Sequence, residues 1–193
     1  ERNRSGVSRK GSPARSEIAG HFIHVDDGSF HTHGRYWSNA EDVRATAQLV
    51  AANKDKYQHL LLYAHGGLNS PKASARRIAA MKETFKKNGI YPYHFMYDTG
   101  ILEELKDVVF RRGPEIDAPA GGIADWSDRL IEWGTRIPGR ALWREMKDGA
   151  RLPFLPERAG SETLAIWLNE MARKTGHRLK VHLCGHSTGA ILL

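Results

Sequence analysis

Residues 179–193 have the sequence LKVHLCGHSTGAILL and give the strongest indication of the fold. It predicts a short apolar strand, a tight turn that carries Ser187, and the apolar start of a helix. A nucleophilic serine on such a turn needs a strained backbone. The glycines two residues before and after it, Gly185 and Gly189, let the strand and the helix approach closely. The first N–H groups of the helix would face the place where negative charge develops during acyl transfer. The stretch therefore predicts that Ser187 is a nucleophile.

Two strands and a helix upstream of this stretch indicate the fold class. The dense apolar run His59–Ala64 suits a strand buried on both faces of a parallel sheet, and Ile90–Tyr97 is the next strand-like segment. Between them, Ser70 can cap a helix that has Pro71 in its first turn and ends at Asn88-Gly89. Strands that alternate with helices in this way predict an α/β fold with a mostly parallel central sheet flanked by helices.

The two ends of the chain add a predicted hairpin and two helices. The hairpin pairs His21–Asp26 with Ser29–Trp37 around a tight turn at Asp27-Gly28. A helix follows in which Ser38 and Glu41 have the spacing of a capping box. Apolar residues at helical intervals predict a long helix from about Glu157 to Thr175, ahead of the last strand, Leu179–Cys184.

Composition limits the class of protein. The chain has 193 residues, of which 40% are hydrophobic, so it can form one domain with a core. No apolar run approaches the roughly 18–20 residues that cross a bilayer, so we expect no transmembrane segment. The single cysteine, Cys184, excludes an internal disulfide and favours the cytoplasm. We place the domain at 21–193.

The net charge of +7 raises the question of an anionic partner. Residues 1–20 contribute part of this charge through the basic side chains Arg2, Arg4, Arg9, Lys10 and Arg15. This tail is rich in serine, glycine and arginine and cannot bury apolar surface, so we expect it to be disordered. We favour a solvated terminus over a phosphate-binding arm and expect no specific nucleic-acid partner.

A second glycine-rich turn supports the assignment of Ser187. His65-Gly66-Gly67 follows the apolar strand and can bring backbone N–H groups beside the serine. An oxyanion hole needs two such donors, and we expect Thr188 to supply one and Gly67, with Leu68 next to it, to supply the other. The alternative is that the loop is only a glycine turn leading into a capped helix.

The order of these motifs resembles the amino-terminal half of the α/β-hydrolase superfamily. The motifs are His65-Gly66-Gly67, Asp98-Thr99-Gly100 and Gly185-His186-Ser187-Thr188-Gly189, each after a strand. The resemblance implies that Ser187 is the nucleophile, that His65 orders the oxyanion loop, and that the turn at residue 98 is structural. It also implies an acyl substrate and neither a metal nor an organic cofactor. It does not choose between lipases, esterases, thioesterases and peptidases.

The sequence departs from the family pattern where the catalytic acid and base should follow. In the family both partners of the serine lie on later strands, and here only six residues follow Ser187. His186 should point away from the serine oxygen, and the resemblance gives His65 a different role. We expect the remainder of the hydrolase domain in the same or another chain. The sequence thus predicts a lipase- or esterase-like serine hydrolase acting on a small-molecule or lipid-like acyl substrate. The alternative is a non-catalytic binding module on a hydrolase scaffold.

Three weaker patterns remain. Histidines and aspartates cluster between His21 and His33, but alternate hairpin positions face opposite sides, so we favour a surface or partly buried cluster over a metal site. Cys184 fits a small core residue better than a nucleophile. The connection before the last helix predicts a helical insertion at about 101–156. Four tryptophans lie between the predicted strands Ile90–Tyr97 and Leu179–Cys184: Trp126, Trp133, Trp143 and Trp167. They either form a lid over an acyl pocket or pack the added helices onto the sheet, and we favour packing.

Overall fold

The computed structural model describes residues 11–66, 69–97, 144, 147–148, 150–175 and 179–193. The described helices are α1 (Arg15–Ile18), α2 (Ala40–Ala52), α3 (Pro71–Lys87), α4 (Ala159–Thr175) and α5 (Gly189–Leu192), with a 3-10 turn at Leu152–Phe154. The described strands are β1 (Phe22–Asp26), β2 (Ser29–Phe30), β3 (His59–Ala64), β4 (Ile90–Tyr97) and β5 (Lys180–Gly185). Most of the predicted insertion at 101–156, with Trp126, Trp133 and Trp143, lies outside the described residues, as do 1–10 and the turn at 98–100.

The strands form one mixed sheet in the order β2-β1-β4-β3-β5. β1 pairs with β4, β4 with β3, and β3 with β5 in parallel, and only the short β2 runs antiparallel to its neighbour β1. The β1–β2 turn has the positive φ values, 46° at Asp27 and 76° at Gly28, that a tight hairpin turn needs. The predicted α/β fold with a mostly parallel sheet flanked by helices is confirmed at this level.

Helices cover both faces of the sheet. On one face α2 and α4 cover a core that includes Leu60, Leu62, Tyr93 and Trp167. On the other face α1 and α3 pack on a smaller cluster around Phe22 and Met96. Trp167 is 2% exposed and meets the ring of Tyr93 edge-on, with 5.1 Å between the ring centroids. The packing role predicted for the tryptophans is therefore confirmed at Trp167. None of the described helices is long and apolar enough to cross a bilayer.

The described part of the amino-terminal tail departs from the predicted disorder over 1–20. Residues 15–18 form α1, and Ile18 is fully buried beneath it. Arg15 lies 3.5 Å over the ring of Trp37, donates a hydrogen bond to the carbonyl oxygen of Trp37 and forms an ion pair with Asp42. A single buried isoleucine and a three-way arginine contact are tertiary features that composition does not reveal.

Two local predictions need correction. The cap of α2 is Asn39, whose Oδ1 accepts the N–H of Asp42 at 2.8 Å. Ser38 instead bonds both backbone groups of His24, accepting its N–H at 2.9 Å and donating to its carbonyl at 3.0 Å. β2 ends at Phe30, well short of Trp37, because the chain leaves the strand after a two-residue pairing with β1.

Burial differs between the strands. β4 has paired strands on both sides and is buried from Tyr91 to Tyr97, whereas β3 alternates between buried and half-buried residues and is not buried on both faces as predicted. β5 pairs only with β3 among the described strands, and its side chains are exposed. Cys184 is therefore exposed, which contradicts its predicted place in the core.

Candidate active site

The candidate site lies where the chain order of the parallel strands reverses. β4 pairs with one side of β3, and β5 crosses over to pair with the other side. Ligands of open α/β sheets bind outside the carboxyl ends of the strands at such a switch point. The carboxyl ends of β3 and β5 are in register there, with Ala64 opposite Gly185. The glycine-rich turns that follow these two strands therefore lie side by side.

Ser187 occupies a strained turn at this point. Its φ is +55°, in the left-handed region that residues with a β-carbon avoid. The turn leads from β5 into α5 through Thr188. Ser187 is exposed, so its side chain is accessible to solvent. Such a turn is the backbone conformation that presents a nucleophile.

The two glycines around Ser187 sit where a side chain would collide with backbone. A β-carbon on Gly185 would lie 2.4 Å from the Cα of Ala190, and one on Gly189 would lie 2.3 Å from the carbonyl oxygen of Ala64. The first glycine lets α5 fold back against β5, and the second lets α5 approach the end of β3. Gly185 and Gly189 thus permit the close contact that positions Ser187.

The loop after β3 lies against Ser187. A β-carbon on Gly66 would lie 3.3 Å from the β-carbon of Ser187 and 3.0 Å from Nδ1 of His186. Gly67 and Leu68, the predicted second oxyanion donors, lie outside the described residues. Thr188, the predicted first donor, is fully buried, and none of the hydrogen bonds among the described residues uses its backbone N–H. Among the described residues, that N–H therefore has no hydrogen-bond acceptor.

His65 fixes the loop through three contacts. Its Nε2 accepts the backbone N–H of Tyr97 at 3.3 Å, so this nitrogen carries the lone pair. Its Nδ1 then carries the proton and donates to the carbonyl of Gly66 at 2.7 Å, an assignment that follows from the hydrogen bonds. Its ring stacks on Tyr97 with 4.6 Å between the centroids. Since both nitrogens are engaged, His65 is placed to order the loop and not to take a proton from Ser187.

Tyr97 links the loop to the turn and was not foreseen as a site residue. Its hydroxyl donates to the carbonyl oxygen of His65 at 2.5 Å and lies 3.1 Å from Oγ1 of Thr188. Burial raises the pKa of Tyr97, and the hydrogen bond to Thr188 partly opposes this, so the phenol stays protonated and can donate. A signal was present in the sequence, because Tyr97 ends a strand of a parallel sheet, where functional side chains gather.

No described histidine is hydrogen-bonded to the oxygen of Ser187. The Nδ1 of His186 lies against Gly66, and among the described residues no histidine nitrogen hydrogen-bonds the serine oxygen. His94 lies in the neighbouring strand, and burial, with help from the charges of His21, His65 and Arg77, lowers its pKa to about 3. It stays neutral inside the sheet.

The aspartates and histidines of the first hairpin do not gather into a metal site. His21 turns its Nδ1 to the carbonyl of Pro92 at 2.8 Å and stacks on Tyr91, away from the others. The rings of His24, His31 and His33 instead follow one another in tilted contact, with 4.2 Å between successive centroids. Within the described ranges, no group of three or more histidine, cysteine, aspartate or glutamate side chains could hold a metal ion.

Comparisons with protein-family models, with curated proteins and with solved structures found no match for this chain.

Proposed function

We propose that the protein is a serine hydrolase of the α/β-hydrolase type that cleaves an ester or another acyl substrate, with Ser187 as its nucleophile. The observation that carries the proposal is the φ of +55° at Ser187, between two glycines whose neighbours leave no room for a β-carbon. A folded chain holds a strained serine in a tight, exposed turn only where surrounding contacts offset a cost of about 1–3 kcal/mol. A serine that must be presented as a nucleophile would account for this backbone strain.

The proposed chemistry follows from the contacts around the turn. Oγ of Ser187 attacks the substrate carbonyl carbon, and the carbonyl oxygen becomes an oxyanion. The backbone N–H of Thr188 donates to this oxyanion, and Gly67 or Leu68 supplies the second donor. The oxyanion then collapses, the bond from the acyl carbon to the leaving alcohol breaks, and the alcohol takes the proton that the base received from Ser187. Water attacks the acyl group on Ser187, gives one proton to the same base, and releases a carboxylic acid as the serine oxygen recovers its proton.

The proposal also requires a base that accepts the Ser187 proton and an acid that orients this base. No hydrogen bond joins a described histidine to the serine oxygen, so we propose that both groups lie outside the described residues, in the same or another chain. The proposal calls for no metal or organic cofactor. We also propose the cytoplasm as its location, because a single cysteine suits a reducing compartment.

A fluorophosphonate probe tests the nucleophile directly. The full-length protein should form a covalent adduct at Ser187, identified by peptide mass spectrometry. Ser187→Ala should abolish the adduct and keep a cooperative melting transition. Ser29→Ala, at an exposed serine in β2, is the matched control and should label like the wild type. A folded protein that does not label at Ser187, or a Ser187→Ala variant that labels as before, would refute the assignment.

The second candidate is a binding module that keeps the scaffold without catalysis. It is favoured by one observation, that none of the described histidines hydrogen-bonds the serine oxygen. The same probe separates the two candidates, because a serine without a base reacts with fluorophosphonates no faster than Ser29.

A further inference from the structure

An open cleft of about 480 Å³ lies beside the amino-terminal end of α3. We call it the basic cleft. Its main lining side chains are His24, His31, Arg35, Tyr36, Ser70 and Lys72. They come from β1, from the segment after β2 and from the start of α3, so the cleft opens at the carboxyl edge of the sheet, as the candidate active site does.

The charges of the basic cleft are positive. Arg35 and Lys72 carry full charges at neutral pH, and no carboxylate is among the described residues that line the cleft. On the hairpin, the carboxylate of Asp26 faces His31, with Oδ2 lying 3.4 Å from Nδ1 of that histidine. The start of α3 adds the partial positive charge of a helix terminus. The potential in the cleft therefore favours an anionic group.

Two side chains on the hairpin side are held in place. One guanidinium nitrogen of Arg35 donates to the carbonyl oxygens of Ser12 and Pro13, which leaves its remaining N–H groups for another acceptor. Nδ1 of His24 lies 3.1 Å from the carbonyl oxygen of Tyr36, and its ring lies 4.2 Å from that of His31. Lys72 is exposed and forms no ion pair with the described residues. Groups held in advance lose less entropy when an anion binds.

The basic cleft lies within reach of Ser187. The N–H of Asn69 donates to the carbonyl oxygen of Gly66 at 3.1 Å. Ser70 follows Asn69 directly, so its Cα lies within about 11 Å of that of Gly66. Gly66 itself lies against Ser187. A substrate with an ester at Ser187 and an anionic group some ten ångströms away would therefore span the two places.

We propose that the basic cleft binds the anionic group, a phosphate or a carboxylate, of the substrate whose ester Ser187 attacks. This rests on the proposed function and narrows it from acyl substrates in general to acyl substrates that carry a negative charge away from the scissile bond. The two sources share one chemistry, an oxyanion that accepts hydrogen bonds from Arg35 and Lys72.

A binding experiment tests the cleft without catalysis. Inorganic phosphate and, separately, acetate are titrated calorimetrically into full-length Ser187→Ala protein and into the same protein carrying Lys72→Gln or Lys87→Gln. The two lysines lie on α3 about 22 Å apart, which is more than the Debye length of about 8–10 Å. Lys87→Gln therefore removes the same charge at a place too distant to affect an anion in the cleft. We expect Lys72→Gln to weaken binding by about fivefold to tenfold and Lys87→Gln by less than about twofold. The anion that binds more tightly identifies the group.

A kinetic experiment connects the cleft to the reaction. The test substrate is the p-nitrophenyl monoester of azelaic acid, whose extended chain separates the carboxylate from the ester by the required distance. The ratio of kcat/KM for this monoester to that for neutral p-nitrophenyl nonanoate, which has the same chain length, should fall in Lys72→Gln by the factor seen in binding and stay constant in Lys87→Gln.

The outcomes separate the two proposals. Labelling of Ser187 without anion binding, or equal effects of the two lysine variants, would refute the cleft alone. Anion binding without labelling would refute hydrolysis and the substrate assignment together.

Discussion

The strained backbone of Ser187 makes a prediction about stability that is separate from activity. Ser187→Gly and Ser187→Ala both remove the hydroxyl, so neither can act as a nucleophile. They differ only in the β-carbon, which is unfavourable at a φ of +55° and absent from glycine. The glycine variant should therefore be more stable than the alanine variant, the reverse of the usual order.

The size of the effect follows from two opposing terms. A β-carbon in the left-handed region costs about 1–2 kcal/mol, and glycine gives back about 0.5–1 kcal/mol through its greater freedom in the unfolded chain. The free energy of unfolding of Ser187→Gly should exceed that of Ser187→Ala by about 1 kcal/mol. For a protein of this size this raises Tm by roughly 2–4 °C.

Urea denaturation and calorimetry of the two variants measure the difference. Ser74, in the interior of α3, provides the matched pair. There the backbone is helical, and Ser74→Gly should be less stable than Ser74→Ala by about 1 kcal/mol. A Ser187→Gly variant that is no more stable than Ser187→Ala, while the Ser74 pair behaves as expected, would show that the turn is not strained.

Two further predictions concern the sheet and the turn. The pKa of His94 is lowered to about 3, so below pH 6.5 only the unfolded chain takes up this proton. The free energy of unfolding should fall by about 2 kcal/mol between pH 7 and pH 5 in urea melts, and His94→Gln should flatten this dependence. Gly189→Ala should cost about 1–3 kcal/mol and abolish probe labelling, because the new β-carbon meets two backbone carbonyls. Gly11→Ala, where the added β-carbon has nothing within 4 Å, should change neither the free energy of unfolding nor the labelling. Equal Tm values for the two alanine variants would contradict the close packing of α5.

The parts of the fold that the sequence predicts well carry local signals. β3 and β4 have the bounds predicted for them, since each is a dense apolar run in the sequence. Ser70 caps α3 as predicted, accepting the N–H of Ala73, because serine before proline is a strong helix start. The strand, turn and helix around Ser187 can also be predicted from a local signal, since the turn itself needs the two glycines.

The parts that the sequence predicts badly depend on distant contacts. Ser38 and Asn39 are both good helix caps, and only the approach of His24 makes Ser38 bond elsewhere. Composition suggests a disordered tail, but the pocket that takes Ile18 is formed by residues far along the chain. Tyr97 looked like an ordinary strand residue, and its contacts with His65 and Thr188 join three separate segments.

The crossover of β5 has a consequence for the order of folding. β3, α3 and β4 follow one another along the chain, whereas β5 reaches β3 only after a long intervening connection. Contacts between neighbouring segments form before those that close long loops, because loop closure costs entropy. The β3–α3–β4 unit should therefore appear first and the docking of β5 last. The strain at Ser187 then arises only after most of the core is in place, so substitutions in β5 should alter the rate of unfolding more than the rate of folding.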